Sequence, residues 1–108
     1  MSEPVTVSEL SLKIGGQEEV RLLDVRELFE WEMGYIPGAI HIPLAELGER
    51  SGELENWRDQ EVVVYCHHGV RSAHAVAWLS QLGFKNARNL TGGIDEWSRV
   101  IDPALDRY

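Results

Sequence analysis

The chain contains a single cysteine, Cys66, and the residues around it suggest a reactive sulfur. Cys66 ends the apolar run VVVYC and is followed by a short polar loop from His67 to Arg71. In a loop that leads into a helix, backbone N–H groups can converge on one point, and the helix N-terminus adds positive potential there. Such a loop would lower the thiol pKa from its ordinary value of about 8.5, because it stabilises the anionic form. We therefore expect Cys66 to be a nucleophile rather than a buried apolar residue.

Other residues of this loop also suit an anionic sulfur. Gly69 lets the backbone turn inward without a Cβ, and Arg71 would add a positive charge beside the sulfur or a bound oxyanion. His67 and His68 would either shape the rim of the pocket, titrating near neutral pH, or simply remain in solvent. No metal is expected, because adjacent histidines rarely reach one ion and no second cysteine completes a ligand set.

The segments around the loop alternate between strand-like and helix-like patterns. Because such alternation is typical of parallel sheets, we predict an α/β domain with helices on both faces of the sheet. Cys66 would be the last residue of the most hydrophobic strand, at the sheet edge where ligands bind. The helix after the loop is expected to begin at Ser72 or slightly before it. The predicted strands cover residues 20–24, 39–42, 61–66 and 87–90.

Length and composition limit the functional classes. With 108 residues, 44% of them apolar, the chain fits one domain over residues 1–108. A net charge of −8 argues against binding to nucleic acid or an anionic membrane. The N-terminus lacks the features of a signal peptide, and no apolar run reaches membrane-spanning length. A single cysteine suits a reducing compartment, so we expect a cytoplasmic location; we also expect no cofactor.

Four motifs stand out along the chain: LLDVRE at 22–27, GYIPGAIHIP at 34–43, VYCHHGVRS at 64–72 and LTGGIDEW at 90–97. Together they resemble the rhodanese-like domain family of single-domain sulfurtransferases. Tyr35 departs from the family pattern, which often has histidine there, at a structural position. The C-terminal segment DPALDRY is similar to the ends of rhodanese-like domains fused behind ubiquitin-activating-like adenylyltransferases.

This resemblance implies a fold, a reaction and site residues. The fold would be α/β around a mostly parallel sheet of about five strands flanked by helices. Cys66 would take a sulfane sulfur from thiosulfate or a persulfide donor and pass it to a thiol, cyanide or a sulfur-carrier acceptor. The protein partners would be a thioredoxin-like protein or a sulfur-carrier protein. The loop residues would bind the substrate, namely His67, His68, Gly69, Val70 and Arg71. The site would be supported by Asp24, Arg26 and Ser72.

Two other functions remain as alternatives. A cysteine phosphatase or arsenate reductase would also hold a thiolate in an anion-binding loop before a helix. Such loops have five residues between Cys and Arg, whereas Cys66 and Arg71 are separated by four, which favours sulfur transfer. A non-catalytic rhodanese-like binding module is the other alternative.

Several charged residues also have simpler interpretations. Asp24 and Arg26 could form only an ion pair at a strand end. The glutamates at 27, 30 and 32 are expected on a solvated helix face.

Overall fold

The computed structural model describes residues 2–108 and contains a parallel sheet of four strands in the order β2-β1-β3-β4. The predicted α/β class is confirmed, but the sheet has four strands rather than about five. A single parallel bridge between Val5 and Leu90 extends it at the β4 edge, too short to form a fifth strand. The strands are β1 (Arg21–Asp24), β2 (Ala39–His41), β3 (Glu61–Tyr65) and β4 (Asn86–Asn89).

Five α-helices connect and cover these strands, and two 3₁₀ segments, Leu44–Glu46 and Ser51–Trp57, flank the third helix. The first helix was not predicted, although its capping box was visible in the sequence: Thr6 Oγ1 accepts the Glu9 N–H and the Glu9 carboxylate accepts the Thr6 N–H. The helices are α1 (Val7–Gly15), α2 (Leu28–Glu32), α3 (Leu47–Arg50), α4 (Val70–Gln81) and α5 (Gly93–Val100). None of them, within residues 2–108, is long and apolar enough to cross a membrane.

Each face of the sheet has its own apolar core. Because successive side chains of a strand point to opposite faces, β3 contributes Val62 and Val64 to one core and Val63 and Tyr65 to the other. Helix α4 packs on the first face, and helices α1 and α5 pack on the second. Strands buried on both faces explain the continuous valine run of β3.

A buried ion pair lies at the carboxyl end of β1. Asp24 and Arg26 are both 0% exposed, and Arg26 Nη2 lies 2.7 Å from Asp24 Oδ2. Two further guanidinium N–H groups have partners, since Nη2 donates to the Gly34 carbonyl and Nη1 to the Tyr108 hydroxyl. The pair therefore anchors three chain segments at the sheet edge that carries Cys66.

We predict that Arg26→Ala lowers the free energy of unfolding by about 3 to 5 kcal/mol, because the Asp24 carboxylate stays buried without its partner. Urea titrations of both proteins measure this loss. Arg99→Ala is the matched control, since the exposed Arg99–Glu96 pair should contribute less than about 1 kcal/mol. Equal losses in the two variants would contradict the importance of the buried pair.

Candidate active site

Cys66 lies at the centre of the site, one residue beyond the end of β3. The prediction that it ends the strand was wrong by one residue, because the chain already turns toward the loop here. The residue is 1% exposed, and its Sγ accepts hydrogen bonds from the N–H groups of Gly69 at 3.1 Å and Ser72 at 3.4 Å. The Ser72 hydroxyl lies 3.4 Å from the same sulfur. We call the segment from Cys66 to Ser72 the sulfur loop.

Gly69 makes the turn of the sulfur loop possible. Its φ of +121° is a conformation that residues with a Cβ rarely adopt, and it directly precedes α4. Helix α4 begins at Val70, slightly before Ser72 as predicted, so its N-terminus faces the sulfur. The positive end of a helix of 12 residues thus adds to the N–H groups that bind Sγ.

These contacts favour the ionised thiol. Burial of Cys66 raises its pKa, but the contact with the Ser72 side chain and the hydrogen bonds from the N–H groups of Ser72, Gly69 and Arg71 outweigh burial, so that the pKa is lowered overall. A thiolate held by fixed N–H donors is a nucleophile at neutral pH. The arrangement can also stabilise negative charge on a second sulfur atom attached to the first, since the donors surround the same point.

Asn89, at the end of β4, connects two parts of the sulfur loop and was not predicted as a site residue. Its Oδ1 accepts the Ser72 hydroxyl at 2.5 Å, and its Nδ2 donates to the Gly69 carbonyl at 3.0 Å. Because β3 and β4 are parallel neighbours, their carboxyl ends meet at one edge, and that topology is the signal that could have identified Asn89.

Helix α5 holds the other side of the sulfur loop. The N–H groups of Ile94 and Asp95 donate to the carbonyls of Cys66 and His67, at 2.9 and 3.1 Å. This approach requires a glycine at 93, because a Cβ there would lie 2.4 Å from the His67 oxygen and 2.5 Å from the Cys66 oxygen. Gly93 of the motif LTGGIDEW therefore allows a helix end to contact the loop backbone.

Arg71 forms an ion pair with Glu30 of helix α2. Its Nη1 and Nη2 donate to the two Glu30 oxygens at 2.6 and 2.9 Å. The expectation of a solvated acidic face was wrong for Glu30, which is 4% exposed, although Glu27 and Glu32 are exposed. The hydrogen bonds from Arg71 lower the pKa of Glu30 to about 2, despite the opposing effect of burial.

Tyr108 joins the two ion pairs, a role that was not predicted from the sequence. Its hydroxyl donates to Glu30 Oε2 at 2.7 Å and accepts from Arg26 Nη1 at 3.0 Å. Its ring stacks on His67 with 4.0 Å between the ring centroids. The C-terminal segment thus covers one side of the sulfur loop, and burial raises the pKa of Tyr108 to about 12.

The two histidines differ in their surroundings. His67 is partly buried between the rings of His68 and Tyr108, whereas the side chain of His68 is 63% exposed. Burial, followed by the charge of His68, lowers the pKa of His67, although Asp95 opposes this shift. Asp95 lies 3.9 Å from His67 Nε2 and also pairs with Arg107.

The other predicted site residues lie in three different places relative to the sulfur atom. Ser72 contacts the sulfur directly, as does the backbone of Gly69. Asp24 and Arg26 lie behind the loop in the buried pair. The Val70 side chain is 70% exposed, so that Val70 faces solvent at the start of α4.

Known proteins contain the sequence pattern of this domain. A family model described as Rhodanese-like domain matches residues 6–100. A protein of Allochromatium vinosum named Sulfurtransferase is 36% identical over 99 residues, which cover 92% of this chain and 91% of that protein. A Mycobacterium tuberculosis protein named "Probable adenylyltransferase/sulfurtransferase MoeZ" is 35% identical over 104 residues, 96% of this chain but 26% of that protein. The chain also spans only 52% of a Bacillus subtilis relative with 37% identity.

Solved structures agree with these sequence matches. The human single-domain sulfurtransferase TSTD1 is 29% identical with a TM-score of 0.78, covering 90% of this chain and 96% of that one. A rhodanese-related protein of Thermoplasma volcanium is 41% identical with a TM-score of 0.79, covering 90% of this chain and 91% of that one. The fold expected from the four motifs is therefore confirmed.

We predict that Gly93→Ala raises the pKa of Cys66, because the new Cβ would push the loop carbonyls away and misdirect the N–H groups at Sγ. The rate of Cys66 alkylation by iodoacetamide as a function of pH measures this shift. Gly15→Ala is the control, since a Cβ at position 15 meets nothing within 4 Å. An unchanged alkylation profile in Gly93→Ala would show that the contact with α5 does not control the thiolate.

The Glu30–Arg71 pair predicts an acid-dependent loss of stability. The folded-state pKa of Glu30 lies below its ordinary value of 4.5, so its stabilisation is present above that value and is lost as pH falls toward 2. The stability difference between the wild type and Glu30→Gln, on the order of 3 kcal/mol near neutral pH, should therefore shrink between about pH 5 and pH 2. Urea unfolding across this range measures it, with Glu55→Gln as an exposed control; a constant difference would contradict the pairing.

Proposed function

The chain belongs to the rhodanese-like domain family, and from this premise we propose that it is a sulfurtransferase that carries a sulfane sulfur on Cys66. One observation carries the proposal: the N–H groups of Gly69 and Ser72 both point at the sulfur atom of the chain's only cysteine. A cysteine that merely filled the core would not need these donors. We assign the catalytic role to Cys66 and substrate binding to residues 67–71, with Asp24, Arg26 and Ser72 in supporting roles.

In the first half-reaction the Cys66 thiolate attacks the outer, sulfane sulfur of a donor. A new S–S bond forms to Sγ, and the bond between the sulfane sulfur and the rest of the donor breaks. The leaving group departs with the electron pair: as a thiolate from a persulfide, or as sulfite from thiosulfate. The N–H groups of Gly69, Arg71 and Ser72 hold the negative charge on the cysteine sulfur before attack and then on the persulfide.

In the second half-reaction a nucleophilic acceptor attacks the outer sulfur of the Cys66 persulfide. The acceptor, a thiolate or cyanide, forms a bond to that sulfur, and the S–S bond breaks with its electron pair returning to Sγ. The sulfur loop favours this departure because it stabilises the Cys66 thiolate that is regenerated. No net oxidation or reduction occurs over the cycle.

The loop geometry supports sulfur transfer over phosphate chemistry. The four residues between Cys66 and Arg71 form a small loop, and its named N–H donors converge on Sγ. In addition, the Arg71 guanidinium is engaged by Glu30, whereas a phosphatase needs its arginine for the oxyanion.

We further propose that residues 1–108 form one domain that acts with sulfur-transfer partners. The candidates are those that the family resemblance implies, a thioredoxin-like protein or a sulfur-carrier protein as acceptor. The carrier-protein hypothesis draws support from the similarity to the relative named as an adenylyltransferase and sulfurtransferase.

We predict that a sulfane sulfur donor adds the mass of one sulfur atom to the protein and that cyanide removes it as thiocyanate. Intact-mass spectrometry measures both steps, and Cys66→Ser is the matched variant that should show neither. A protein that accepts no sulfur from thiosulfate, a thiosulfonate or a persulfide would contradict the proposal. Hydrolysis of an aryl phosphate instead would support the phosphatase alternative, and inertness in both assays would support the binding module.

A further inference from the structure

Every Lys and Arg side chain of this protein is paired with a carboxylate. The chain has ten Lys and Arg residues against 18 Asp and Glu, and each of the ten lies within 4 Å of an acidic side chain. Each cation is therefore neutralised by a neighbouring carboxylate, and the protein carries eight negative charges in excess. A small anion that approaches the protein meets a repulsive field.

The cations nearest the sulfur loop follow the same rule. The sequence suggested that Arg71 would attract anionic donors, but both of its Nη atoms donate hydrogen bonds to Glu30. Arg107 pairs with Asp95 at 3.1 Å, beside the two histidines of the loop. Arg26 is fully buried with Asp24. Burial also lowers the pKa of His67, so this ring adds little positive charge at neutral pH.

Two backbone donors of the sulfur loop are engaged by the cysteine sulfur itself. The N–H groups of Gly69 and Ser72 point at Sγ, and the Ser72 hydroxyl donates to Asn89. These groups stabilise one anionic sulfur, and a donor that brings a sulfonate would need further N–H groups or a free cation for it.

We infer that the physiological donor is a persulfide on an organic or protein thiol of low charge, and that the thiosulfate dianion is a poor substrate. This inference rests on the proposed function. The thiolate of Cys66 attacks the outer sulfur of R–S–SH, the S–S bond of the donor breaks, and R–S⁻ leaves with the electron pair while the proton stays on the transferred sulfur. The charge that must enter the site is smaller than with thiosulfate, which carries two negative charges.

Apolar side chains next to the ion pair suit such a carrier. Val70 is 70% exposed and directly precedes Arg71, while Leu28 and Phe29 are 58% and 65% exposed and directly precede Glu30. The contact between Glu30 and Arg71 brings these two segments together. Carbon atoms of a thiol carrier could contact these side chains, whereas thiosulfate has no carbon to bury.

Two donors that differ in charge test this inference on the wild-type protein. Thiosulfate and methanethiosulfonate both offer a sulfane sulfur bound to a sulfonyl sulfur, but the methyl group replaces one oxyanion and removes one charge. To correct for intrinsic reactivity, kcat/KM for each donor is divided by the rate at which that donor reacts with a small-molecule thiolate. We expect the corrected kcat/KM to be about tenfold or more higher for methanethiosulfonate than for thiosulfate. N-acetylcysteine methyl ester persulfide, whose carrier is uncharged, should be used at least as well as methanethiosulfonate.

The dependence of kcat/KM on salt concentration tests the charge of the site independently. Added potassium chloride should raise kcat/KM for thiosulfate, because screening weakens repulsion between like charges. A cationic site would show the opposite, a fall with salt. A fall, or a preference for thiosulfate over methanethiosulfonate, would overturn the inference.

Glu30→Gln frees the charge of Arg71 and should improve thiosulfate selectively. We expect its KM for thiosulfate to drop about three- to tenfold, with a smaller effect on the persulfide. Glu55→Gln makes the same change in net charge and frees Arg58, which lies at the opposite end of β3. This variant should keep its KM values for thiosulfate and for the persulfide within about twofold of those of the wild type. Equal effects of the two variants would contradict a local role for the Glu30–Arg71 pair.

These outcomes separate the inference from the proposed function. If all three donors load Cys66 but thiosulfate is preferred, the donor inference is wrong and sulfur transfer stands. If none of them loads Cys66, the proposed function is wrong and the inference falls with it.

Discussion

The hydrogen bonds from backbone N–H groups to Cys66 Sγ are the interaction on which the rest of the site depends. A buried thiol would ordinarily resist ionisation, and only donors fixed at 3.1 and 3.4 Å reverse that tendency. Their direction depends on the positive φ of Gly69 and on the start of α4 at Val70. A small rotation of this turn would leave a buried sulfur with no stabilisation of its charge.

The surrounding structure keeps the sulfur loop in this conformation from several directions. Helix α5 binds the carbonyls of Cys66 and His67, and Asn89 binds both Gly69 and Ser72. Behind the loop, the Tyr108 hydroxyl connects the Asp24–Arg26 and Glu30–Arg71 ion pairs. Because these supports come from segments distant in sequence, the loop is ordered only when the whole sheet edge has formed.

Sequence patterns predicted the local features well. The valine run, the single cysteine, the glycine and the following helix lie within 20 residues, so their spacing alone indicates a strand, a turn and a helix N-terminus. The partner of Arg71 could not be found in this way, since Glu30 is 41 residues away and stands among exposed glutamates. Asn89 carries no motif of its own, the segment DPALDRY gives no sign of the contacts that Tyr108 makes, and the short bridge at Val5 has too few residues to produce a pattern.

In the proposed mechanism, Cys66 Sγ carries the transferred sulfur, and the N–H groups of the sulfur loop hold that sulfur in place. A crystal structure of the protein treated with a persulfide donor, with sulfur atoms located by anomalous scattering, examines both points in one measurement. We expect one additional sulfur bonded to Sγ and lying within hydrogen-bond distance of the N–H groups of the sulfur loop. Additional sulfur bound elsewhere, or a Cys66 persulfide that points away from these N–H groups, would contradict the account.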